Sequence, residues 1–260
     1  MGHKLMKLNM TNGRVAAVMT GVLLMSLAGI ARATLVEGFE SGSFSGSEAT
    51  SGDVGIRGTY FTIAPTEGTK QMLLTTINNT SDAGYTNQSG SNAVTVATIG
   101  TFLGESPSLI RDGTATGFEG SAFTISLGAL NAGDVITLNY DFLTDEDPSG
   151  THHNDFAFWE LNSGTIHVFA DTASSLHPTD ASNMVFGLET GYQTLTITIL
   201  SAGTYTLGLG VMDATTGDNP SGLLIDNIQI TPVPEPTTVA FSIAGAALLV
   251  VLRSRIKKTS

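Results

Sequence analysis

The densest run of side chains able to do chemistry is Thr144-Asp145-Glu146-Asp147-Pro148-Ser149-Gly150-Thr151-His152-His153-Asn154-Asp155, with four carboxylates, two imidazoles and an Asn between two apolar stretches. Like charges at this density are costly unless a cation or solvent neutralises them. Asp145, Glu146 and Asp155 are therefore candidates to hold a cation or ligand, with Asp213 and Asp218 able to add oxygens. The spacing Asp145-x-Asp147 is that of calcium loops, but the twelve-residue EF-hand pattern is not completed. The competing reading is a solvated acidic loop. His152 and His153 are adjacent, so on an extended chain they point apart and do not make a zinc pair.

Signatures of catalysis are missing from the sequence. It contains no Gly-x-Ser-x-Gly elbow, no His-Glu-x-x-His, no phosphate-cradling glycine loop and no dinucleotide fingerprint. A pair of carboxylates for glycoside hydrolysis drawn from 23 acids is no assignment, so no catalytic residue is named. Trp159, the only Trp, lies in Phe156-Ala157-Phe158-Trp159-Glu160-Leu161. Alternation puts it on one face with Ala157 and Leu161, where core packing competes with sugar stacking.

Strands must position these residues. Short alternating runs cut by Gly, Ser, Asn and Asp predict strands near 35–40, 59–63, 71–76, 122–127, 135–143, 155–161, 165–170, 192–200, 204–212 and 223–231. Leu195, Ile197 and Ile199 face one way and the threonines between them the other, as in a half-buried strand. Leu130-Asn131-Ala132-Gly133-Asp134 and Ser201-Ala202-Gly203 read as turns. Residues 93–103 read instead as a short helix with Gly104 as C-cap. The pattern predicts an all-β, antiparallel two-sheet sandwich of jelly-roll type over residues 34–231.

Both ends read as processing segments. Lys4, Lys7 and Arg14 precede an apolar run at 15–30, and Ala31-Arg32-Ala33 offers signal peptidase small residues at Ala31 and Ala33, which predicts a signal peptide over 1–33. At the other end Val233-Pro234-Glu235-Pro236 leads into an apolar run at 237–252 and then Arg253, Arg255, Lys257 and Lys258. As a helix that run spans about 24 Å against a hydrocarbon core of about 30 Å, and the cations keep the tail cytoplasmic. The ending resembles the PEP-CTERM sorting signal of exported proteins, which implies processing of residues 232–260 by a membrane-embedded exosortase. An ordinary single-span anchor is the alternative. The expected location is the cell envelope or extracellular matrix, after transient anchoring in the inner membrane.

Between Glu37 and Glu235, three Lys or Arg stand against all 23 Asp and Glu, a balance of −20. Such a surface repels nucleic acid and suits divalent cations or plain solubility. Without cysteine, no disulfide can staple the exported region.

The exported region also resembles the β-sandwich domain that accompanies PEP-CTERM tails. The match rests on Phe39-Glu40-Ser41-Gly42, Gly52-Asp53-Val54, Pro65-Thr66-Glu67-Gly68, Asp141-Phe142-Leu143-Thr144-Asp145-Glu146, Asn154-Asp155-Phe156-Ala157-Phe158, Gly191-Tyr192-Gln193-Thr194 and Gly222-Leu223-Leu224-Ile225-Asp226-Asn227. It departs at Gly46-Ser47, where such domains commonly carry a Trp. In many jelly-roll carbohydrate-binding modules a Glu of the first strand and an Asp of the last ligate a structural calcium ion, and that likeness assigns Ca2+ to Glu40 and Asp226. The resemblance implies a non-catalytic structural or glycan-binding component of an exopolysaccharide matrix. A polysaccharide-active enzyme and a protein-binding adhesion module remain alternatives, and no ligand-binding residue is assigned.

Overall fold

β-branched and aromatic residues at alternate positions, broken by turn formers, build sheets. The computed structural model describes residues 33–233 except 83, 148–153, 180–184, 216 and 218. Ala33–Pro232 is one compact unit. In chain order its strands are β1 (Thr34–Glu37), β2 (Glu48–Ser51), β3 (Asp53–Arg57), β4 (Gln71–Thr75), β5 (Val94–Thr95), β6 (Arg111–Asp112), β7 (Ala115–Leu130) and β8 (Val135–Thr144). There follow β9 (Phe156–Leu161), β10 (His167–Asp171), β11 (His177–Pro178), β12 (Leu188–Glu189), β13 (Gln193–Thr198), β14 (Gly203–Ala214) and β15 (Ser221–Thr231). Among the described residues one α-helix, α1 (Val96–Leu103), lies between β5 and β6.

The strands form two antiparallel sheets. In the first, β11-β12-β8-β15-β4-β3 are neighbours in that order, with β13 also on β8 and β1 also on β15. In the second the order is β10-β9-β14-β7-β2, and β5 and β6 pair with β7. Two antiparallel sheets were expected. Strand limits differ where composition hid them: β7 extends well beyond the expected 122–127 because Gly117, Gly120 and the polar residues beside them mask its alternation. Segment 59–63 is a correction. Tyr60 and Ile63 exchange both backbone hydrogen bonds at 2.9 Å across a tight turn. The Gln71 amide captures the carbonyls of Gly58 and Ile63 at 2.8 and 2.9 Å, so the segment closes on itself instead of joining a sheet.

The main core fills the space between the sheets. Phe123 and Ile125 of β7, Leu207, Leu209 and Val211 of β14, Met72 and Leu74 of β4, Ile136, Leu138 and Phe142 of β8, and Leu223 and Ile225 of β15 all point into it. Each such side chain, fully buried, stabilises by about 1.5–3 kcal/mol. Each sheet also has a covered outer face. On the second sheet, α1 buries Ile99 and Leu103 against Phe156, Phe158 and Met212. The helix ends as its sequence predicts, at Gly104 in the left-handed region at φ 76°. On the first sheet, Leu73, Leu143 and Leu224 lie under Tyr60 and Phe186.

Candidate functional site

Alternation along the inward stripes decides where the carboxylates go. In β14 the stripe Leu207, Leu209, Val211 continues to Asp213; in β7 the stripe Ile125, Phe123, Ser121 continues to Glu119. Asp155, just before β9, shares its face with Ala157, and on the opposite sheet Thr76, Thr144 and Ser221 continue the stripes of β4, β8 and β15. One end of the sandwich core is therefore polar where the rest is apolar. A register shift between Met212 and Ala214 marks a bulge at Asp213, the kind of irregularity that re-aims a side chain.

Oxygens of Asp82, Glu119 and Asp213 lie within 4.8 Å of one another, and all three residues are buried. Asp82 comes from the loop after β4. The Asn78 amide donates to its Oδ2 at 2.5 Å. Glu119 accepts from Asn78 Nδ2 at 2.8 Å and Ser81 Oγ at 2.6 Å, which fastens that loop to β7. Gly217 leaves room for it, since a Cβ there would lie 2.2 Å from Glu119 Oε1. Asp155 accepts from the Ala214 amide at 2.9 Å and Ser221 Oγ at 2.7 Å, joining the two sheets. Asp213 differs from all of these. It is 0% exposed, and although Thr76 and Asp155 stand near enough to act on its titration, neither Oδ has a hydrogen-bond donor.

Electrostatics follow from that burial. Loss of solvent pushes Asp155 up to about 7, against the lowering effect of its hydrogen bonds. Burial first, and then the Asp155 charge, raise Asp213 well above the ordinary carboxylate range. These carboxylates lie inside the fold, where no polymer can reach them, so the arrangement suits holding a cation or a proton rather than attacking a glycosidic bond.

The structure separates the predicted loop residues. Asp155 belongs to the buried end just described, so the reading of a solvated acidic loop fails for it. Glu146 is 4% exposed, and its amide donates to Thr144 Oγ1 at 3.0 Å. Asp145 accepts from the Tyr85 hydroxyl. Asp213, expected to add an oxygen, sits beside Asp155; Asp218, His152 and His153 lie outside the described residues. Sequence reading missed Asp82 and Glu119, which stand 37 residues apart. The available signal was a carboxylate at an inward position of an otherwise apolar stripe.

Glu40 and Asp226 converge on one loop, residues 65–70. Asp226 Oδ2 accepts from the amides of Thr66 and Glu67 at 2.7 Å each and from Thr66 Oγ1 at 2.8 Å, and Oδ1 from the Asn227 amide at 2.7 Å. Exposed Glu40 accepts from the amides of Thr69 and Lys70 at 2.7 Å each and from Thr69 Oγ1 at 2.9 Å. The Thr69 amide leads the effects that hold its carboxyl below the usual range.

A separate cleft of about 250 Å3 opens between the sheet edges, lined by Trp159, His167, Ile197, Leu200 and Tyr205. Trp159 is half-buried, packs against the main core and stacks on His167 with ring centroids 4.2 Å apart and planes 17° apart. Leu200 is 88% exposed at its rim.

No protein-family model matches the chain, and no curated protein sequence is similar to it. Among solved structures, the K1 adhesin domain of Lys-gingipain from Porphyromonas gingivalis has 12% identity and a TM-score of 0.36, over 79% of this chain and 99% of that one. A xylan-binding domain from Paenibacillus barcinonensis has 13% identity and a TM-score of 0.34, over 77% and 94%. A carbohydrate-binding module solved with β-1,4-galactotriose has 12% identity and a TM-score of 0.35, over 75% and 94%. At these scores the likenesses carry no functional argument, and the function of this chain has to be read from its own residues.

Proposed function

We propose that this chain is an exported, non-catalytic β-sandwich of jelly-roll type, sorted by exosortase to the cell envelope, where it binds glycan in the exopolysaccharide matrix. The observation that carries the glycan reading is the cleft between the sheet edges. There the Trp159–His167 stack, Tyr205 and the exposed Leu200 offer the mixed aromatic and aliphatic surface that sugar rings pack against. The acidic balance of the exported region suits a hydrated, neutral polymer rather than nucleic acid. Sorting is supported by the order of the Pro-Glu-Pro motif, apolar run and basic tail. Pro234, Glu235 and Pro236, the run at 237–252 and residues 1–32 of the expected signal peptide lie outside the described residues. Among the described residues, no helix is long and apolar enough to cross a membrane.

Affinity electrophoresis of the protein through native matrix polysaccharide tests the binding. Retardation that is lost in His167→Ala and Tyr205→Ala supports the cleft; migration identical with and without polysaccharide overturns it. Intact-mass analysis tests the sorting. A processed product from wild-type cells and a membrane-bound precursor from Glu235→Ala are expected, whereas retention of residues 237–252 in cells with active exosortase rejects it.

A further inference from the structure

The polar end of the core contains more negative charge than its protein donors satisfy. Glu119 and Asp155 have donors on both oxygens, but Asp213 has none on either, and it is fully buried between them. An isolated ionised carboxylate cannot remain so in a dry interior; it takes up a proton or a counter-ion. Among the described residues, no basic side chain figures in the groups that chiefly act on Asp213. Lys70 acts on Glu40 and Arg57 on Tyr60, and Arg111 is exposed.

We propose that Asp82, Glu119 and Asp213 bind one divalent cation, calcium, at the polar end of the sandwich, and that the ion pins the loop after β4 to β7 and β14. Calcium oxygens lie at roughly 2.3–2.6 Å, so two on opposite sides of the ion are about 4.6–5.2 Å apart. Three carboxylate oxygens within 4.8 Å of one another can share such a sphere. The donor set is all oxygen, which fits a hard cation and not a thiolate- or imidazole-seeking metal. Asp155, fixed by Ser221 on the facing sheet, adds negative charge next to Asp213 and couples the site to both sheets. In a chain without cysteine this cross-link does the work of a disulfide. The site is distinct from Glu40 and Asp226, and it does not depend on the glycan reading.

The test uses the full chain, purified in mild detergent, stripped with EDTA and titrated with CaCl2 by calorimetry and by thermal melting. One bound equivalent is expected, with a rise of several degrees in melting temperature at about one hundred times the dissociation constant. Asp213→Asn and Glu119→Gln should each weaken binding at least tenfold. Ion-free Asp213→Asn should melt no lower than the ion-free parent, because a desolvated charge has gone. Asp141→Asn, a buried acid on the outer face of the first sheet, should bind as the parent does. If Asp213→Asn fails to give a native circular dichroism spectrum, Glu119→Gln and Asp82→Asn decide. Absence of calcium binding overturns the proposal and leaves a shared proton. Binding that survives both Asp213→Asn and Glu119→Gln, or that is lost only in Asp226→Asn or Glu40→Gln, also overturns it.

Discussion

Two groups of carboxylates in this molecule read alike in the sequence and are opposites in the fold. Asp226 and Glu40 accept four and three hydrogen bonds, nearly all from the loop at 65–70. At the polar end of the core, Asp213 accepts none and is surrounded by further acids. The first group uses its charge to organise backbone amides. The second has charge left over. A carboxylate's role is set by the supply of donors around it, and that supply comes from strand pairing and loop closure rather than from local spacing.

The largest effect expected from breaking this contrast is at Asp226. Replacing it with Ala orphans the amides of Thr66 and Glu67 and the Thr66 hydroxyl, and should cost about 3–4 kcal/mol in urea unfolding. The loss should be equal in EDTA and in calcium. A loss confined to calcium-containing buffer makes Asp226 an ion ligand, as its resemblance to jelly-roll modules implies, and erases the contrast.

Asp141 lies between the two extremes. One oxygen accepts from Thr190 Oγ1 at 3.2 Å and the other has no partner, on the outer face of the first sheet. Burial, then the nearby Glu189 charge, push it up to about 7 from an ordinary 3.8. Because the folded form holds this proton more tightly than the unfolded form, the contribution of Asp141 is largest below the ordinary value. Stability falls as pH rises toward about 7, and the full penalty stands above that. At 1.36 kcal/mol per pH unit over the two units from pH ~5 to ~7, the contribution lost between pH ~5 and ~8 is about 3 kcal/mol. Asp141→Asn should flatten that part of the slope in urea melts at the two pH values. An unchanged slope would show that the residue titrates normally.

Much of the fold was legible because alternation is a local property. The strand containing Leu195 and Ile197, the turn at residues 130–134 and the Gly104 cap all depend on neighbours in sequence. β2 and β3 went unread because Glu48-Ala49-Thr50-Ser51 has little apolar content and Gly55 interrupts the other. The site was half legible. Asp155 and Asp213 could be suspected as acids beside hydrophobic strands, but Asp82 reaches Glu119 only because the loop after β4 folds back across β7. No pattern of spacing encodes that. The split of the 144–155 run, with Asp155 in the core and Asp145 on Tyr85, has the same origin.

A smaller perturbation acts on the donor-poor group without touching its charges. Gly217→Ala would set a Cβ 2.2 Å from Glu119 Oε1, inside any real contact distance. The displaced carboxylate should cost about 1–2 kcal/mol in urea unfolding, as overpacking usually does. If the cluster holds an ion, the loss is greater with calcium than with EDTA. Equal losses would mean that the cluster is only a packing feature.

The smallest expected effect is at Glu40, and it tests the other side of the contrast. Glu40→Gln keeps an oxygen able to accept from the Thr69 and Lys70 amides and removes only the charge. The site is exposed, so those amides can turn to water when the acceptor weakens. Melting curves of variant and parent should coincide, in EDTA and in calcium alike. The informative quantity is the difference between the two buffers. A variant that matches the parent in EDTA but loses the calcium-induced rise would show that Glu40 spends its lone pairs on an ion when one is present. The amide bonds at 65–70 would then describe only the ion-free state of that loop, and donor supply would no longer separate the two groups of acids.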